Sequence, residues 1–326
     1  MNAFQSTLPE AALRVVFLGT PALAATILEG LLEGPDEVVG VFSRPDAASG
    51  RGLELAAPPV AELARKTALP VLQPKSWRDG SAIDSLRALS PDLVIVAAYG
   101  RILPQAALDV PRFGCINVHA SLLPRWRGAD PIRRAILAGD EETGVTIMGM
   151  VLEMDAGPIL LQRAIPILAD DTGQALEKRL ALLGQTALRE FLDSWRRGKI
   201  KAREQDPAVV TFSPPIKRED GETDFTRPAA MIARATRALA PWPGASARIR
   251  DLLLRLWTAS ALETNSDEAP GSILSIEREG VRIATGQGVL LLQEVQAPGK
   301  RRMAAADWAR GFRLLVGETF ARRAEP

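Results

Sequence analysis

Short apolar runs alternate with helical patterns through the first two thirds of this 326-residue chain, and this alternation most constrains its fold. The runs RVVFLGT (from Arg14), EVVGVFSRP (from Glu37) and DLVIVAAYG (from Asp92) are each typical of a buried strand. The stretches between them carry apolar residues at helical spacing, as in VAELARKTA from Val60. Because strands separated by helices form βαβ units, the pattern predicts an α/β domain with a doubly wound, mostly parallel sheet.

The alternation of strands and helices stops after a long helix predicted from about Thr172 to Trp195. A polar, proline-bearing stretch follows, and beyond it short alternating runs are separated by glycine turns, which predicts a small β-barrel with a helix attached. We therefore predict a flexible tail (residues 1–13), a first domain (14–198), a linker (199–213) and a smaller C-terminal domain (214–326).

Composition and motifs exclude several classes of protein. No stretch has the length and purity of a membrane span, and the first residues lack the basic and apolar regions of a signal peptide. Neither GxGxxG nor GxxxxGK[ST] occurs, so the sequence offers no strong dinucleotide or P-loop motif. A single cysteine fits a reducing cytoplasm, and we expect a cytoplasmic protein without membrane attachment.

The distribution of charge along the chain is more informative about nucleic-acid binding than the net charge. The 40 Lys and Arg residues nearly balance the 39 Asp and Glu residues, which by itself does not indicate nucleic-acid binding. Basic residues nevertheless concentrate between Arg196 and Arg218 and in the run Lys300–Arg302. Such runs are commonly solvated surface charge, so by themselves they do not indicate nucleic-acid binding.

The only histidine, His119, lies where a predicted strand gives way to a loop. Asn117 precedes it by two residues, and the period of two in a strand places both side chains on one face. Asp155, in a loop between two strand-like runs, supplies an acid. Because Cys115 has apolar neighbours, we expect it to be buried. Asn117, His119 and Asp155 include no nucleophilic serine or cysteine, so they favour direct transfer over a covalent intermediate. One histidine and one cysteine leave too few ligands for zinc, so we expect no metal.

The segment NVHASLLPRWRGADPI around His119 resembles the signature of formyltetrahydrofolate-dependent transferases, whose Asn, His and distant Asp match Asn117, His119 and Asp155. Other matches resemble the methionyl-tRNA formyltransferase family within that group, and the resemblance extends from Arg14 to about Gly311. They are FLGTP (from Phe17), SGRGLEL (from Ser49), LPVLQP (from Leu69), AYGRILP (from Ala98), GVTIMGM (from Gly144), APWPGA (from Ala240) and GKRRM (from Gly299).

The resemblance implies a Rossmann-like catalytic domain followed by an OB-like barrel that binds tRNA. It implies formyl transfer from 10-formyltetrahydrofolate to the amine of initiator methionyl-tRNA, for translation initiation, and we expect a monomer. The catalytic residues it implies are Asn117, His119 and Asp155. The folate-binding residues are Ser121, Leu122, Leu123 and Pro124. The tRNA-binding residues are Arg51, Lys217, Arg218, Lys300, Arg301 and Arg302.

Three departures from the family pattern concern the predicted tRNA contacts and the acid motif. Leu53 and Glu54 follow Gly52 where lysines are usual, and Pro215 stands where the linker usually has a lysine. The acid motif is MDAG where LDTG is common, which keeps Asp155. The first two departures predict few phosphate contacts and a shallow salt dependence of tRNA binding. Trp242 and Trp257 are expected to pack within the barrel.

Three other functions are compatible with parts of the pattern. The first is a formyltransferase that acts on the amine of a nucleotide sugar, and the second is a formyltetrahydrofolate hydrolase, which places water where the amine lies. The third is an RNA-binding module without catalysis. The glycine-arginine loop and the basic runs favour tRNA, and the Asn117, His119 and Asp155 set favours an enzyme.

Overall fold

A computed structural model of the chain describes residues 7–49 and 54–321, which form two compact units. The first unit extends to Pro131 and also contains Glu142–Pro166 and Glu177–Pro214. The second contains Ile132–Glu141, Ile167–Leu176 and the chain from Pro215.

The helices and strands up to residue 213 largely follow the predicted alternation. They are, in chain order, β1 (Arg14–Gly19), α1 (Ala22–Leu32), β2 (Glu37–Phe42), β3 (Ala47–Ser49), β4 (Glu54–Ala56), α2 (Pro59–Lys66), β5 (Val71–Leu72), α3 (Ser81–Ala88), β6 (Leu93–Ala97), α4 (Gln105–Leu108), β7 (Cys115–His119), β8 (Arg127–Gly128), α5 (Pro131–Ala138), β9 (Glu142–Gly149), β10 (Ile159–Pro166), α6 (Gly173–Arg196) and β11 (Phe212–Ser213).

The first unit is built on a seven-stranded sheet with the order β10-β9-β7-β6-β1-β2-β5. The pairs from β7 to β5 are parallel, whereas β9 and β10 form an antiparallel edge beside β7. Strands β1 and β6 are buried almost throughout, because a doubly wound sheet is covered on both faces. The predicted fold class of this domain is confirmed.

Strand order reverses between β1 and β6, and ligand sites in open α/β sheets lie at the carboxyl ends of strands near such a reversal. Thr20, directly after β1, donates from its hydroxyl to the carbonyl oxygen of Tyr99 after β6, at 3.0 Å. The neighbouring β7 ends at His119. Asn117 and His119, the candidate residues in β7, therefore lie at the end of the sheet where ligand sites form.

Local chemistry explains where α2 begins and ends. Pro59 occupies the first turn, where its missing N–H has no helical partner to lose, and Glu62 complements the positive end of the helix dipole. Arg65 and Lys66 lie in the last turn, at the negative end. Among the described residues, no helix is both long and apolar enough to cross a membrane.

The second unit contains an antiparallel sheet of the order β12-β13-β16-β15-β14, with β17 paired to β16. Its elements are α7 (Ala229–Ala238), β12 (Ser246–Ile249), β13 (Leu252–Leu262), β14 (Ile273–Glu277), β15 (Gly280–Ala284), β16 (Val289–Gln296), β17 (Met303–Ala304) and α8 (Ala305–Phe312). Isolated bridges join Ala321 to Arg248 in β12 and Thr319 to Ser272 before β14, so residues 319–321 link the two edges of the sheet. The predicted C-terminal β-domain with its helix is confirmed.

Candidate active site

Asn117 and His119 extend from the carboxyl-terminal half of β7, between β6 and β9. Their alternate positions place both on one face, as the sequence predicts. The Asn117 amide nitrogen Nδ2 donates to Asp155 Oδ1 at 3.3 Å. An amide nitrogen carries two hydrogens, and this bond uses one of them. The structure therefore brings Asn117, His119 and Asp155 together.

His119 is only 6% exposed, and its two ring nitrogens have different neighbours. Nε2 lies 2.9 Å from the carbonyl oxygen of Trp126. Because a carbonyl oxygen can only accept, Nε2 carries the hydrogen of this bond. Nδ1 lies 3.7 Å from Asp155 Oδ2, so it is the nitrogen at which a second proton would meet a carboxylate. The two ring nitrogens therefore face a carbonyl oxygen and a carboxylate, respectively.

Asp155 is held in a backbone conformation that few residues other than glycine adopt, with φ of +51°. Such a conformation costs on the order of 1 kcal/mol and persists where surrounding contacts enforce it. The backbone N–H of Gly128 donates to Asp155 Oδ2 at 2.8 Å. Gly157, two residues on, lies so close to β9 that a Cβ there would stand 1.8 Å from the Gly149 carbonyl oxygen. The loop can therefore take this path only with glycine at that position.

The predicted folate loop, Ser121–Pro124, divides into inward and outward positions. Ser121 is buried and donates to the Arg125 carbonyl oxygen at 2.6 Å, and Leu123 is 2% exposed. Leu122 and Pro124 are half-buried and present apolar surface. Ser121 and Leu123 therefore fix the loop from inside, and a folate contact of Leu122 and Pro124 stays a prediction.

Two residues that the sequence interpretation missed support the folate loop from neighbouring strands. Thr146 donates from its hydroxyl to the Ser121 carbonyl oxygen at 2.6 Å and accepts from the Leu123 N–H at 3.0 Å. Gln162 donates to the Leu123 carbonyl oxygen at 2.8 Å. A polar threonine inside the apolar run VTIMGM is the sequence signal that could have indicated this role.

Cys115, the one cysteine, is buried at the start of β7 as predicted. Burial, with a smaller contribution from the charge of Asp109, raises the pKa of its thiol to about 12. A thiol with so high a pKa is almost fully protonated near neutral pH and is a poor nucleophile. Among the described residues, no group of three or more His, Cys, Asp or Glu residues could hold a metal ion.

The predicted tRNA-binding residues are exposed wherever the structure describes them. Arg51 lies outside the described residues, as does Leu53. Lys217, Arg218, Lys300 and Arg301 are exposed in the second unit. None of these positions contradicts a role in binding a polyanion, and that role stays a prediction.

Arg302 differs from the other basic residues because it is engaged within its own unit. It forms an ion pair with Glu294, bonds Thr258 Oγ1 at 3.0 Å and lies 5.1 Å from the ring centre of Trp257. Hydrogen bonds from Arg302 and Thr258 lower the pKa of Glu294. Arg302 therefore carries a charge that is already partly compensated.

The two tryptophans differ from the expectation that both pack within the barrel. Trp257 is half-buried and donates from Nε1 to Gln296 at 3.0 Å. Trp242 is 54% exposed, so the expectation is wrong for this residue. The loop around it is held instead by Arg255, whose guanidinium donates to the carbonyl oxygens of Pro241 and Pro243.

Comparisons with known proteins agree with this fold and identify a family. Residues 13–192 match the family model for formyl transferases, and residues 215–313 match that for the formyl transferase C-terminal domain. A methionyl-tRNA formyltransferase from Acidithiobacillus ferrooxidans is 49% identical over 305 residues, which cover 94% of this chain and 97% of the relative.

Solved structures give the same fold at low sequence identity. An N-formyltransferase from Helicobacter canadensis, in complex with folinic acid and dTDP-3-aminofucose, has a TM-score of 0.65 at 16% identity, covering 86% of this chain and 99% of that one. HypX from Aquifex aeolicus, in complex with tetrahydrofolic acid, has a TM-score of 0.61 at 20% identity, covering 94% of this chain and 49% of that one. At such identities the likeness concerns the fold alone.

Proposed function

This chain belongs to the methionyl-tRNA formyltransferase family, and we propose that its amine substrate attacks the formyl donor directly. The acceptor is the α-amine of initiator methionyl-tRNA, and the donor is 10-formyltetrahydrofolate. The observation that carries the proposal is the meeting of Asn117, His119 and Asp155 at the carboxyl end of β7. No thiol or hydroxyl nucleophile is needed, which agrees with the high pKa of Cys115.

The first step forms the new bond and places negative charge on oxygen. The lone pair of the amine attacks the formyl carbon, a C–N bond forms, and the carbonyl π electrons move to the oxygen. The second hydrogen of the Asn117 amide is a suitable donor to that oxyanion. Removing one such donor in other enzymes costs on the order of 3 kcal/mol of transition-state stabilisation.

The second step removes a proton from the attacking nitrogen and breaks the bond to the folate nitrogen. The His119–Asp155 pair accepts that proton, since Nδ1 faces the carboxylate and Nε2 is held as a donor by Trp126. When the tetrahedral carbon collapses, the electrons of the breaking C–N bond go to the departing folate nitrogen, and the pair returns the proton there. General acid–base help of this kind contributes roughly 10²- to 10⁴-fold in rate.

The folate site we propose lies on the loop next to these groups. Leu122 and Pro124 offer half-buried apolar surface for the flat ring of the donor. Thr146, which both donates and accepts, and Gln162, which donates, keep the loop in place. We propose that Arg51, the pair Lys217 and Arg218, and the run Lys300–Arg302 contact tRNA phosphates. Formylation of initiator tRNA for translation, a cytoplasmic location, a monomeric state and domain boundaries at 14, 198 and 214 stay predictions.

The test is an assay of formyl transfer from 10-formyltetrahydrofolate to different acceptors. We expect rapid transfer to methionyl-tRNA and little to a nucleotide-linked amino sugar, with negligible donor hydrolysis when no acceptor is present. Faster transfer to the amino sugar would support the sugar-amine alternative. Rapid donor consumption without an acceptor would instead indicate a hydrolase.

A further inference from the structure

Gln205 is the residue of the predicted linker that reaches the candidate active site. Gln205 is half-buried, and all the other residues from Lys201 to Val209 are exposed. The chain is anchored just before it, because Arg203 and Ile159 exchange backbone hydrogen bonds at 2.8 and 2.9 Å. This anchor places Gln205 beside the loop that carries Asp155.

All the hydrogen-bonding groups of the Gln205 side chain have partners around that loop. Nε2 donates to the carbonyl oxygens of Asp155 and Gly157, both at 2.8 Å. Oε1 accepts from Nε of Arg127 at 3.0 Å. Two accepting carbonyls on one side and a guanidinium on the other fix the amide in a single orientation.

Arg127 connects this glutamine to the other side of the site. It is 7% exposed, and its guanidinium also bonds Glu153 at 3.3 Å, in the same loop as Asp155. Its backbone N–H donates to the Thr211 carbonyl oxygen at 2.9 Å, where β8 pairs with β11. Arg127 is therefore buried and held through both its guanidinium and its backbone, which makes it a firm support for Gln205.

Residues 211–213, a few positions after Gln205, hold Trp126, whose carbonyl oxygen bonds His119. The Ser213 hydroxyl lies 3.2 and 3.1 Å from the carbonyl oxygens of Trp126 and Arg127, and its one hydrogen is shared between them. The Trp126 N–H donates to Thr211 Oγ1 at 2.9 Å. One stretch of chain therefore contacts the supports of both His119 and Asp155.

We propose that Gln205 is a positioning residue for the transfer reaction, which keeps Asp155 in its left-handed conformation beside Asn117 and His119. The inference rests on the proposed function, because it assumes that Asp155 is part of the catalytic group. Gln205 itself acts only through the backbone of residues 155–157. Its loss would leave both substrates bound while the carboxylate is misplaced.

Two substitutions of similar size separate positioning from packing. Gln205→Met keeps length and packing but removes all three hydrogen bonds. Gln205→Glu keeps acceptance from Arg127 but cannot donate to the carbonyls of Asp155 and Gly157. We expect each to lower kcat by roughly tenfold to a hundredfold, because small misplacements of a catalytic group are costly. The KM values for methionyl-tRNA and for the folate donor should change by less than about threefold.

Gln162→Met is the matched control, because Gln162 is also half-buried and also donates to a backbone carbonyl, that of Leu123. Its side chain bonds the predicted folate loop at Leu123 and also accepts from the Arg203 guanidinium at 2.7 Å, whereas the anchor of Gln205 uses the Arg203 backbone. We therefore expect Gln162→Met to raise the folate KM by more than it lowers kcat. A second control repeats Gln205→Met in an Asp155→Asn background. There the glutamine has no carboxylate left to position, and the additional loss should be less than about threefold.

Thermal unfolding midpoints are measured for every variant, and assays are run well below each midpoint. If Gln205→Met does not fold, Gln205→Glu alone decides, because it retains the bond to Arg127. A lowered midpoint with kcat within about twofold of the parent in either variant would overturn the inference and leave Gln205 a purely structural residue. Full activity of Asp155→Asn would be a different result, since it would contradict the proposed function itself.

Discussion

The proposed catalytic group, Asn117, His119 and Asp155, and the predicted tRNA-binding residues are held in opposite ways. His119 is 6% exposed, and Asp155 accepts hydrogen bonds from Gly128 and Asn117 while its backbone is bonded by Gln205. Lys217, Arg218, Lys300 and Arg301 are exposed side chains on the second unit. Chemistry at a formyl carbon needs groups placed within fractions of an ångström, whereas attraction to phosphates needs charge more than position.

The difference predicts two separable classes of variant. Changes in the catalytic group should lower the turnover of bound substrates. Changes among the basic residues should weaken tRNA binding in a salt-dependent way and leave turnover nearly intact.

The largest effect is expected from the proposed catalytic residues. Asn117→Ala, His119→Ala and Asp155→Ala should each lower kcat by at least about a hundredfold, because each removes an oxyanion donor or a member of the proton-transfer pair. The losses should be far from additive in double variants. Steady-state formylation assays on variants with native circular dichroism provide the measurement. Near-normal turnover of His119→Ala at saturating donor would contradict the assignment.

An intermediate effect is expected from Arg51→Ala. If Arg51 contacts the acceptor end, its loss should raise the KM for methionyl-tRNA by roughly tenfold, in line with a lost charge-assisted hydrogen bond. The kcat should change little. Arg87→Ala is a suitable control, because Arg87 is an exposed arginine paired with Asp84 at 3.1 Å, and such pairs contribute little. Equal behaviour of the two variants would show that the loop around Arg51 does not touch tRNA.

The smallest effect is expected within the run Lys300–Arg302. The ion pair with Glu294 already compensates Arg302, so Arg302→Ala should change the salt slope of tRNA binding less than Arg301→Ala. A direct phosphate contact of Arg301 would contribute roughly 0.7 to 0.9 to that slope.

Glu294→Gln sharpens this comparison. Because Arg302 lowers the pKa of Glu294, the carboxylate is ionised at neutral pH, and its removal should free the arginine and steepen the slope. The logarithm of the association constant is plotted against the logarithm of salt concentration for each variant. If Arg302→Ala reduced the salt slope of tRNA binding by more than Arg301→Ala, the ion pair with Glu294 would not keep Arg302 from contacting phosphate.

Periodic features of the chain could be predicted from the sequence, and features fixed by long-range bonds could not. Strands β1, β2, β6 and β7 follow from apolar runs, and the common face of Asn117 and His119 follows from the period of two. The hairpin β3–β4 was not predicted, because its strands have three residues each, too few to establish a period.

Gln205 shows the same limit at the candidate active site. Its sequence context, AREQDPA, is polar and is typical of a linker. Its role depends on bonds to carbonyl groups 48 and 50 residues earlier in the chain. Backbone carbonyls leave no trace in residue type, so no sequence pattern identifies such a contact.

Direct attack makes a prediction about the enzyme in the absence of tRNA, and this prediction tests the central claim most directly. The protein is mixed with 10-formyltetrahydrofolate labelled in the formyl group, quenched, and separated from small molecules; methionyl-tRNA is then added to a parallel sample. Direct transfer predicts no label on the protein and no release of tetrahydrofolate until methionyl-tRNA is added. The label then moves to the tRNA without ever being bound covalently to the protein. A labelled protein that passes its formyl group to methionyl-tRNA would contradict the account.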